Sequence, residues 1–353
     1  MTSPPDSDSR TPESLSATRS GLPIWRALSF LIAAGLLLLL IRWAGLQRLA
    51  DILKRTSLAG LAGAAAIYAV TWLGRTWRLR HFVRHAGRTV PALELFKVHI
   101  AGYALNSLLP AKLGDVAMIV YLRMRGLTLA RAAAIAVQLR ILDLLACVLL
   151  CVPGLWLLFR QDAPDTIRTS LLLCVLLLAI PLCGVALDRT NALGRLLTRL
   201  QGRWAPPALG RVLAKAGEAY ADYREIVTSS RLFAASVGVS LAIWLGDTVT
   251  GWAVAAAVGT PLGFGWMLFA VSIGNIGKVI PITPGAVGVY ESVLAGMLVL
   301  GGAPADVAVV VALLDHLLKK LFNLAVGLPA AADLGLQVGH LRQQRATLQT
   351  SPD

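Results

Sequence analysis

Two short stretches, NSLLPAKLGD at 106–115 and GKVIPITPGAVGVYE at 277–291, decide the fold that this sequence predicts. Each interrupts an apolar segment, at 91–125 and at 264–301, and leaves halves shorter than the ~20 residues that a helix needs to cross a bilayer core. Proline ends a short helix, and glycine permits the turn that begins the next one. Because irregular backbone at membrane depth requires protein or a watery cavity around it, we predict two re-entrant helical hairpins.

The composition is that of a membrane protein. Of the 353 residues, 56% are hydrophobic and 15% are charged, against about 25% charged in a typical soluble domain. An ordinary soluble enzyme is therefore excluded. Apolar runs predict spanning helices at 24–41, 58–74, 127–159, 170–187, 232–258 and 303–333. The predicted fold class is an all-α polytopic membrane protein with about six spanning helices plus two re-entrant helical hairpins.

The formal net charge of +14 comes from basic residues that lie between the apolar runs. In a soluble chain this balance would indicate nucleic acid, but here it indicates cytoplasmic loops and anionic lipid headgroups, so no nucleic-acid partner is predicted. The basic stretches 75–88 and 188–231 are assigned to the cytoplasm, the second as amphipathic helices on the leaflet. The basic stretch 42–55 argues against a first span that begins inside, or for an interfacial helix. We predict a multi-pass protein of the cytoplasmic (inner) membrane with cytoplasmic termini.

The predicted elements form two units with the same order of helix, hairpin and long helix, at about 58–159 and 232–333. The single span between them reverses the second unit, so the two hairpins are predicted to enter from opposite faces. Inverted repeats with broken helices are typical of secondary transporters and place the substrate site at the hairpin tips. We predict one transmembrane domain at 21–335, between a disordered cytoplasmic tail at 1–20 and a C-terminal tail at 336–353.

Charged residues at the two tips are the first candidates for a site, because charges at membrane depth are costly and either pair or line a pathway. We predict that Lys112 and Lys278, aided by helix N-termini, receive an anionic headgroup or phosphate. Asp115 and Glu291 would act as counter-charges or proton carriers. The alternative is that acid and base neutralise each other at each tip. The candidate substrate-binding or translocation residues are Asn106, Pro110, Lys112, Gly114, Asp115, Arg140, Asp143, Lys278, Pro284, Gly288, Glu291, Asp315, His316 and Lys319.

The long third helices carry further charged pairs. Arg140 and Asp143 are three residues apart, and Asp315 and Lys319 are four apart, so each pair can bond along one helix face. Internal salt bridges explain these pairs as well as substrate contact does.

Two ionisable residues in apolar surroundings, Asp247 and His316, have no evident partner in the sequence and are candidates for a proton relay. The pair His81 and His85 lies in HFVRH, which lacks the glutamate of a zinc-protease helix, so no metal is predicted. No sequence motif for a catalytic nucleophile or a cofactor is found, and none is predicted.

The two tips, with YLRMRG and QLRILD after the first, resemble the flippase-like family formed by the lysylphosphatidylglycerol synthase transmembrane region, as a stand-alone membrane part without an aminoacyl transferase domain. The resemblance covers roughly 24–335 and is most specific at Pro281–Glu291. It implies an inner-membrane protein whose two re-entrant halves move a lipid, or a lipid-linked headgroup, between leaflets. The motif residues it implies are Pro110, Gly114, Asp115 and Arg140 in the first half, and Pro284, Gly288 and Glu291 in the second.

The sequence departs from the family's usual residues at several positions. Met118 stands where an arginine usually follows the first acid, Leu139 replaces a glutamate, Ala286 replaces a glycine and His316 replaces an arginine. These departures allow a different substrate or a degraded activity. The chain should not be called a synthase, since the transferase domain that makes lysylphosphatidylglycerol is absent.

The sequence therefore favours a lipid translocase, not an enzyme, that works by alternating access around paired hairpins. Its predicted partners are an anionic or polyprenyl-linked lipid, the membrane and a lipid-modifying or glycosyl transferase. The alternative is a non-catalytic membrane subunit that presents lipid to such a transferase. A membrane-embedded transferase with Asp115, Glu291 or Asp247 as general base is the third hypothesis.

Overall fold

The computed structural model describes residues 24–109, 112–160, 188, 191–203, 229–260, 262–278 and 282–350, with scattered positions between 165 and 225. Within this part of the chain every regular element is helical, which confirms the all-α class. The helices are α1 Ile24–Ala44, α2 Leu46–Arg55, α3 Leu58–His85, α4 Ala92–Leu108, α5 Leu113–Met124, α6 Leu129–Arg160, α7 Ala192–Arg203, α8 Ser230–Val258, α9 Phe264–Gly277, α10 Val289–Leu300 and α11 Ala305–Thr350. A 3-10 turn at Pro284–Ala286 lies between α9 and α10.

Three of the described helices are long and apolar enough to cross a membrane, at Leu58–His85, Leu129–Trp156 and Arg231–Val258. The pair α1 and α2 makes a fourth candidate if it is counted as one bent span. These helices confirm a membrane protein. The predicted span at 170–187 falls where only scattered positions are described, and the predicted tail at 1–20 lies outside the described residues. The span predicted at 303–333 is helical, but α11 is not among the apolar candidates because it carries buried charges.

The basic stretch 42–55 contains a sharp bend. Gly45 has a φ of 84°, and α2 turns away from α1 by 83°. On α2, Leu49 is buried while Asp51 and Lys54 form an exposed ion pair of 3.3 Å. This separate amphipathic helix supports the interfacial alternative that the sequence left open.

The span predicted at 58–74 is longer than expected. α3 continues to His85, so the basic loop predicted from 75 onward was wrong over most of its length. The reason is that Trp72, Leu79 and Phe82 recur at helical intervals and are buried, which extends the helix past the arginines. Arg75 and Arg78 lie on the buried side of the same helix, at 1% and 0% exposure.

Both interrupted segments form two short helices around a break, as predicted. α4 packs against α5, and α9 packs against α10. In the first hairpin the two helices meet at glycines: a Cβ atom at Gly114 would lie 1.9 Å from the carbonyl oxygen of Gly102. In the second hairpin Gly274 lies against the ring of Tyr290. Pro110, at the first break, lies outside the described residues.

The two units pack against each other reciprocally. The first hairpin helix of unit one, α4, lies along the long third helix of unit two, α11, while α9 of unit two lies along α6 of unit one. Helices α3 and α8, which begin the two units, also pack extensively. The close approaches again use glycines, with Gly327 against the backbone of Ile100 and Gly154 against Phe269. This exchange brings the two breaks close together, and α4 contacts the 3-10 turn of the second break.

The chain predicted to be a tail after 335 begins as helix. α11 continues to Thr350, so 336–350 extend the third helix of unit two.

Candidate functional site

A cavity of about 270 Å³ lies between the two hairpin breaks. Residues of both units line its wall, and cationic side chains outnumber carboxylates among them. Among the described residues, two carboxylates line it, Asp143 and Asp247. Six cationic side chains line it as well: Arg75, Lys112, Arg140, Lys278, Lys319 and Lys320.

At the first tip the carboxylate of Asp115 is held by the third helix of its own unit. Arg140 donates two hydrogen bonds to it, from Nη2 to Oδ1 at 2.5 Å and from Nε to Oδ2 at 3.0 Å. Asn106 Nδ2 donates a third bond of 2.9 Å, and its Oδ1 accepts from the backbone N–H of Gly114 at 2.8 Å. The alternative that Lys112 and Asp115 simply neutralise each other therefore leaves out the main partner of Asp115, which is Arg140. Lys112 lines the cavity in a left-handed conformation, with φ 54°.

The second tip repeats this arrangement with different residues. Glu291, in the first turn of α10, accepts from the backbone N–H of Gly288 at 2.8 Å and lies 2.7 Å from Nδ1 of His316. The separation along the chain is 25 residues for Asp115 and Arg140 and again 25 for Glu291 and His316. Each tip is thus clamped to the third helix of its own unit. The imidazole makes one bond where the guanidinium makes two.

Behind the first tip, Asp143 is a buried acceptor that joins three helices. Arg78 Nη2 donates to it at 2.7 Å, and Trp244 Nε1 donates at 3.1 Å. Its predicted helix partner, Arg140, is further away at 3.9 Å. Asp143 therefore links α3, α6 and α8 in addition to lining the cavity.

Behind the second tip, Lys319 lies between two carboxylates. Its ammonium is 2.8 Å from Asp247 and 2.8 Å from Asp315, so the predicted pair on α11 forms. Tyr290 also donates to Asp315, at 2.7 Å. Asp247 has a second cation, Arg75, at 3.9 Å.

The premise for a proton relay fails for both of its candidates. Asp247 is paired with Lys319, and His316 is bonded to Glu291. Their partners come from elements that are distant in sequence, which is why the sequence shows none. Neither residue is the unpaired buried group from which the relay was predicted.

The candidates divide into two sets by position. Residues that reach the cavity wall are Asn106, Lys112, Arg140, Asp143, Asp247, Lys278, His316 and Lys319. Residues that stand behind it are Gly114, Asp115, Pro284, Gly288, Glu291 and Asp315. The second set shapes the tips and holds the first set in place.

Sequence analysis missed several residues of the wall. Arg75 was assigned to a loop, although its position three residues after Trp72 on an apolar helix face was a usable signal. Lys320 follows Lys319 directly but is not among the predicted site residues. Tyr103, which accepts from Arg75 at 3.1 Å and from Arg140 at 3.3 Å, has no signal in one sequence.

Two of the cavity cations have an aromatic ring or a hydroxyl as a neighbour. The ammonium of Lys278 lies 3.6 Å from the ring centroid of Tyr290, and that of Lys320 donates to Ser107 Oγ at 3.3 Å. Within the described part of the chain, no carboxylate oxygen lies within 4.0 Å of either one. Nor does that part contain a group of three His, Cys, Asp or Glu side chains placed to hold a metal ion. The chemistry offered by this wall is the binding of an anion by ammonium and guanidinium groups.

Comparison with known proteins identifies the family of this chain. The family described as "Lysylphosphatidylglycerol synthase TM region" matches residues 26–327. Glycosyltransferase AglD of Haloferax volcanii is 28% identical over 344 residues, which cover 87% of this chain and 55% of that protein. The chain thus spans about half the length of AglD. A UPF0104 membrane protein of Methanothermobacter thermautotrophicus is 26% identical over 112 residues, 32% of each chain. The match over 26–327 confirms the resemblance seen at the two tips, and the chain belongs to the lysylphosphatidylglycerol synthase transmembrane-region family.

Proposed function

We propose that this protein moves an anionic lipid, or a lipid-linked headgroup, between the leaflets of the cytoplasmic membrane. The observation that carries the proposal is the cavity between the two hairpin breaks, where six cations face two carboxylates. Charged groups inside a membrane protein are costly and mark substrate pathways by default. A headgroup held there would exchange its hydration for these cations while its acyl or polyprenyl chains remain in lipid.

The proposed membrane arrangement has two re-entrant hairpins and six spans, with the termini in the cytoplasm. Helix lengths support the hairpins, since α4 with 17 residues and α5 with 12 rise only about 25 and 18 Å. α9 with 14 residues and α10 with 12 are equally short against a hydrocarbon core of about 30 Å. The six spans would include 170–187 and the charged α11, whose Asp315 and Lys319 are buried and whose Lys319 and Lys320 line the cavity.

Alternating access would come from relative movement of the two tips. Each tip is clamped to its own unit by a carboxylate, the half-buried Asp115 or the buried Glu291. Among the described residues, Lys320 of α11 donates a side-chain hydrogen bond across the cavity to Ser107 of the first tip, at 3.3 Å. A bond of this length contributes little, so movement of the tips would be resisted mainly by the packing of α4 against α11 and against the 3-10 turn at Pro284–Ala286.

Thiol labelling of Cys147 tests the movement. Cys147 lines the cavity and is buried in this state. With Cys151, Cys174 and Cys183 changed to alanine, we expect a membrane-impermeant thiol reagent to reach Cys147 from either face, in right-side-out and in inverted vesicles. The rate of Cys147 labelling should fall when transported lipid fills the cavity. Reaction from one face only would exclude alternating access through this cavity.

Transport by tip variants tests the function itself. We expect Lys112→Ala to lower the initial rate of lipid movement in liposomes about tenfold, because a cation is removed from the wall. Glu291→Gln should also lower the rate, since it weakens the clamp on the second tip while keeping an acceptor for Gly288 N–H. Lys54→Ala, at an exposed site on α2, is the matched control. Parental rates in both tip variants, with normal insertion, would make these residues structural.

The second candidate is a non-catalytic subunit that presents lipid to a partner lipid-modifying or glycosyl transferase. The observation that favours it is the similarity to glycosyltransferase AglD, which extends over 87% of this chain and 55% of that protein. In both proposals the chain itself is not an enzyme. Purified protein in liposomes separates them, because a presenting subunit would bind lipid without moving it between leaflets.

A further inference from the structure

The cavity and its supporting shell carry more positive than negative charge, even after every ion pair is counted. Among the described residues the cations are Arg75, Arg78, Lys112, Arg140, Lys278, Lys319 and Lys320. The carboxylates are Asp115, Asp143, Asp247, Glu291 and Asp315. With His316 counted as the neutral partner of Glu291, seven cations face five carboxylates. The excess is two positive charges.

Two lysines of the cavity wall contribute to this excess. Arg140, Lys319 and Arg75 each have a carboxylate oxygen within 4.0 Å. Among the described residues, the neighbour of the Lys278 ammonium is instead the ring of Tyr290, and the neighbour of the Lys320 ammonium is the hydroxyl of Ser107. Both belong to the second unit, at the end of α9 and on α11.

The backbone at the second break makes room for one of these ammonium groups. Gly285 has a φ of 59°, and a Cβ atom there would lie 2.1 Å from Nζ of Lys320. A side chain at this position would therefore displace the ammonium from the tip. The left-handed residue Ala286 follows, with φ 58°, and also lines the cavity. A non-glycine residue in this conformation is strained, as is common at ligand sites.

We propose that Lys278 and Lys320 bind the phosphate end of a ligand that carries two negative charges, a phosphate monoester or a diphosphate. Lysine binds phosphate as a point charge, and buried charges are stable when they are compensated. A phosphodiester headgroup, with one charge, would leave one ammonium uncompensated. That this phosphate belongs to a lipid rests on the proposed function. Inorganic phosphate offers the same charged group to the two lysines.

Lipid binding to the full chain in phosphatidylcholine nanodiscs tests this assignment. At a pH where its phosphate is doubly ionised, phosphatidic acid should bind at least tenfold more tightly than phosphatidylglycerol, which has one charge. Lys278→Gln and Lys320→Gln should each reduce that preference to about twofold. Lys278→Arg should keep it, which separates loss of charge from loss of fold. Lys54→Gln, which removes an exposed cation, should leave the preference unchanged.

Several outcomes decide the proposal. Equal affinity for the two lipids in the parental protein, or an undiminished preference in both glutamine variants, would overturn it. In another outcome, inorganic phosphate binds with the same dependence on the two lysines, while phosphatidic acid binds no more tightly than phosphatidylglycerol. In that case the two lysines bind a soluble phosphate, and the assignment to a lipid phosphate is wrong. In liposomes, a charge preference in binding without lipid movement contradicts only the translocase. Lipid movement without the preference contradicts only the phosphate subsite.

Discussion

Replacing Lys319 with methionine is expected to lower the free energy of unfolding by about 3–5 kcal/mol, the cost of breaking a buried ion pair by removing one partner. Lys319 is 4% exposed, and its ammonium lies 2.8 Å from each of two carboxylates, Asp247 and Asp315. Methionine fills a similar volume, so the change acts mainly through charge. Unfolding in mixed micelles with increasing SDS, followed by circular dichroism, measures the difference.

A second variant separates charge from packing in this result. Asp247→Asn combined with Lys319→Met removes one of the two stranded carboxylates and should recover part of the stability. Lys54→Met removes an exposed ion pair with Asp51 and should change the free energy of unfolding by less than about 1 kcal/mol. If Lys319→Met is no more destabilising than Lys54→Met, the buried triad does not hold α8 against α11.

Replacing Gly114 with alanine is expected to open the first hairpin. The added Cβ atom would lie 1.9 Å from the backbone oxygen of Gly102 and 2.8 Å from Oδ1 of Asn106. Backbone atoms cannot rotate away, so α4 and α5 must separate, at about 1–3 kcal/mol for overpacking. Movement of Asn106 also disturbs the bonds that fix Asp115. We therefore expect transport in liposomes to fall at least tenfold.

The control for this change is a glycine at which an added Cβ atom would contact no neighbouring atom. A Cβ atom at Gly63, in α3, would have no neighbour within 4 Å. Gly63→Ala should keep transport and raise stability slightly, by up to about 1 kcal/mol, because alanine favours helix. Equal behaviour of the two alanine variants would show that contact between α4 and α5 at the tip is not required.

The sequence predicted the breaks well because their cause is local. Proline and glycine act on the backbone within a few residues, and the two helix pairs appear at the segments 91–125 and 264–301 where they were expected. The structure pairs Asp115 with Arg140 and Glu291 with His316 across the same 25 residues, and neither pair was identified from the sequence.

What the sequence could not supply was the partner of each buried charge. Lys319 and Asp247 are 72 residues apart, and Arg78 and Asp143 are 65 apart, so only the packing of whole helices brings them together. The boundary of α3 was wrong for a related reason. Counting arginines indicates a cytoplasmic loop, but Arg75 and Arg78 are neutralised inside the protein, where the rule for loops does not apply.

The reciprocal packing of the two units also sets the order in which the protein can be completed during synthesis. α4 packs against α11, which is synthesised after all the other described helices, and Lys97 bonds to Asp333 across 236 residues. The first hairpin must therefore be inserted long before its supporting helix exists. Until then its polar break needs shelter from lipid, either from the insertion machinery or from surrounding water.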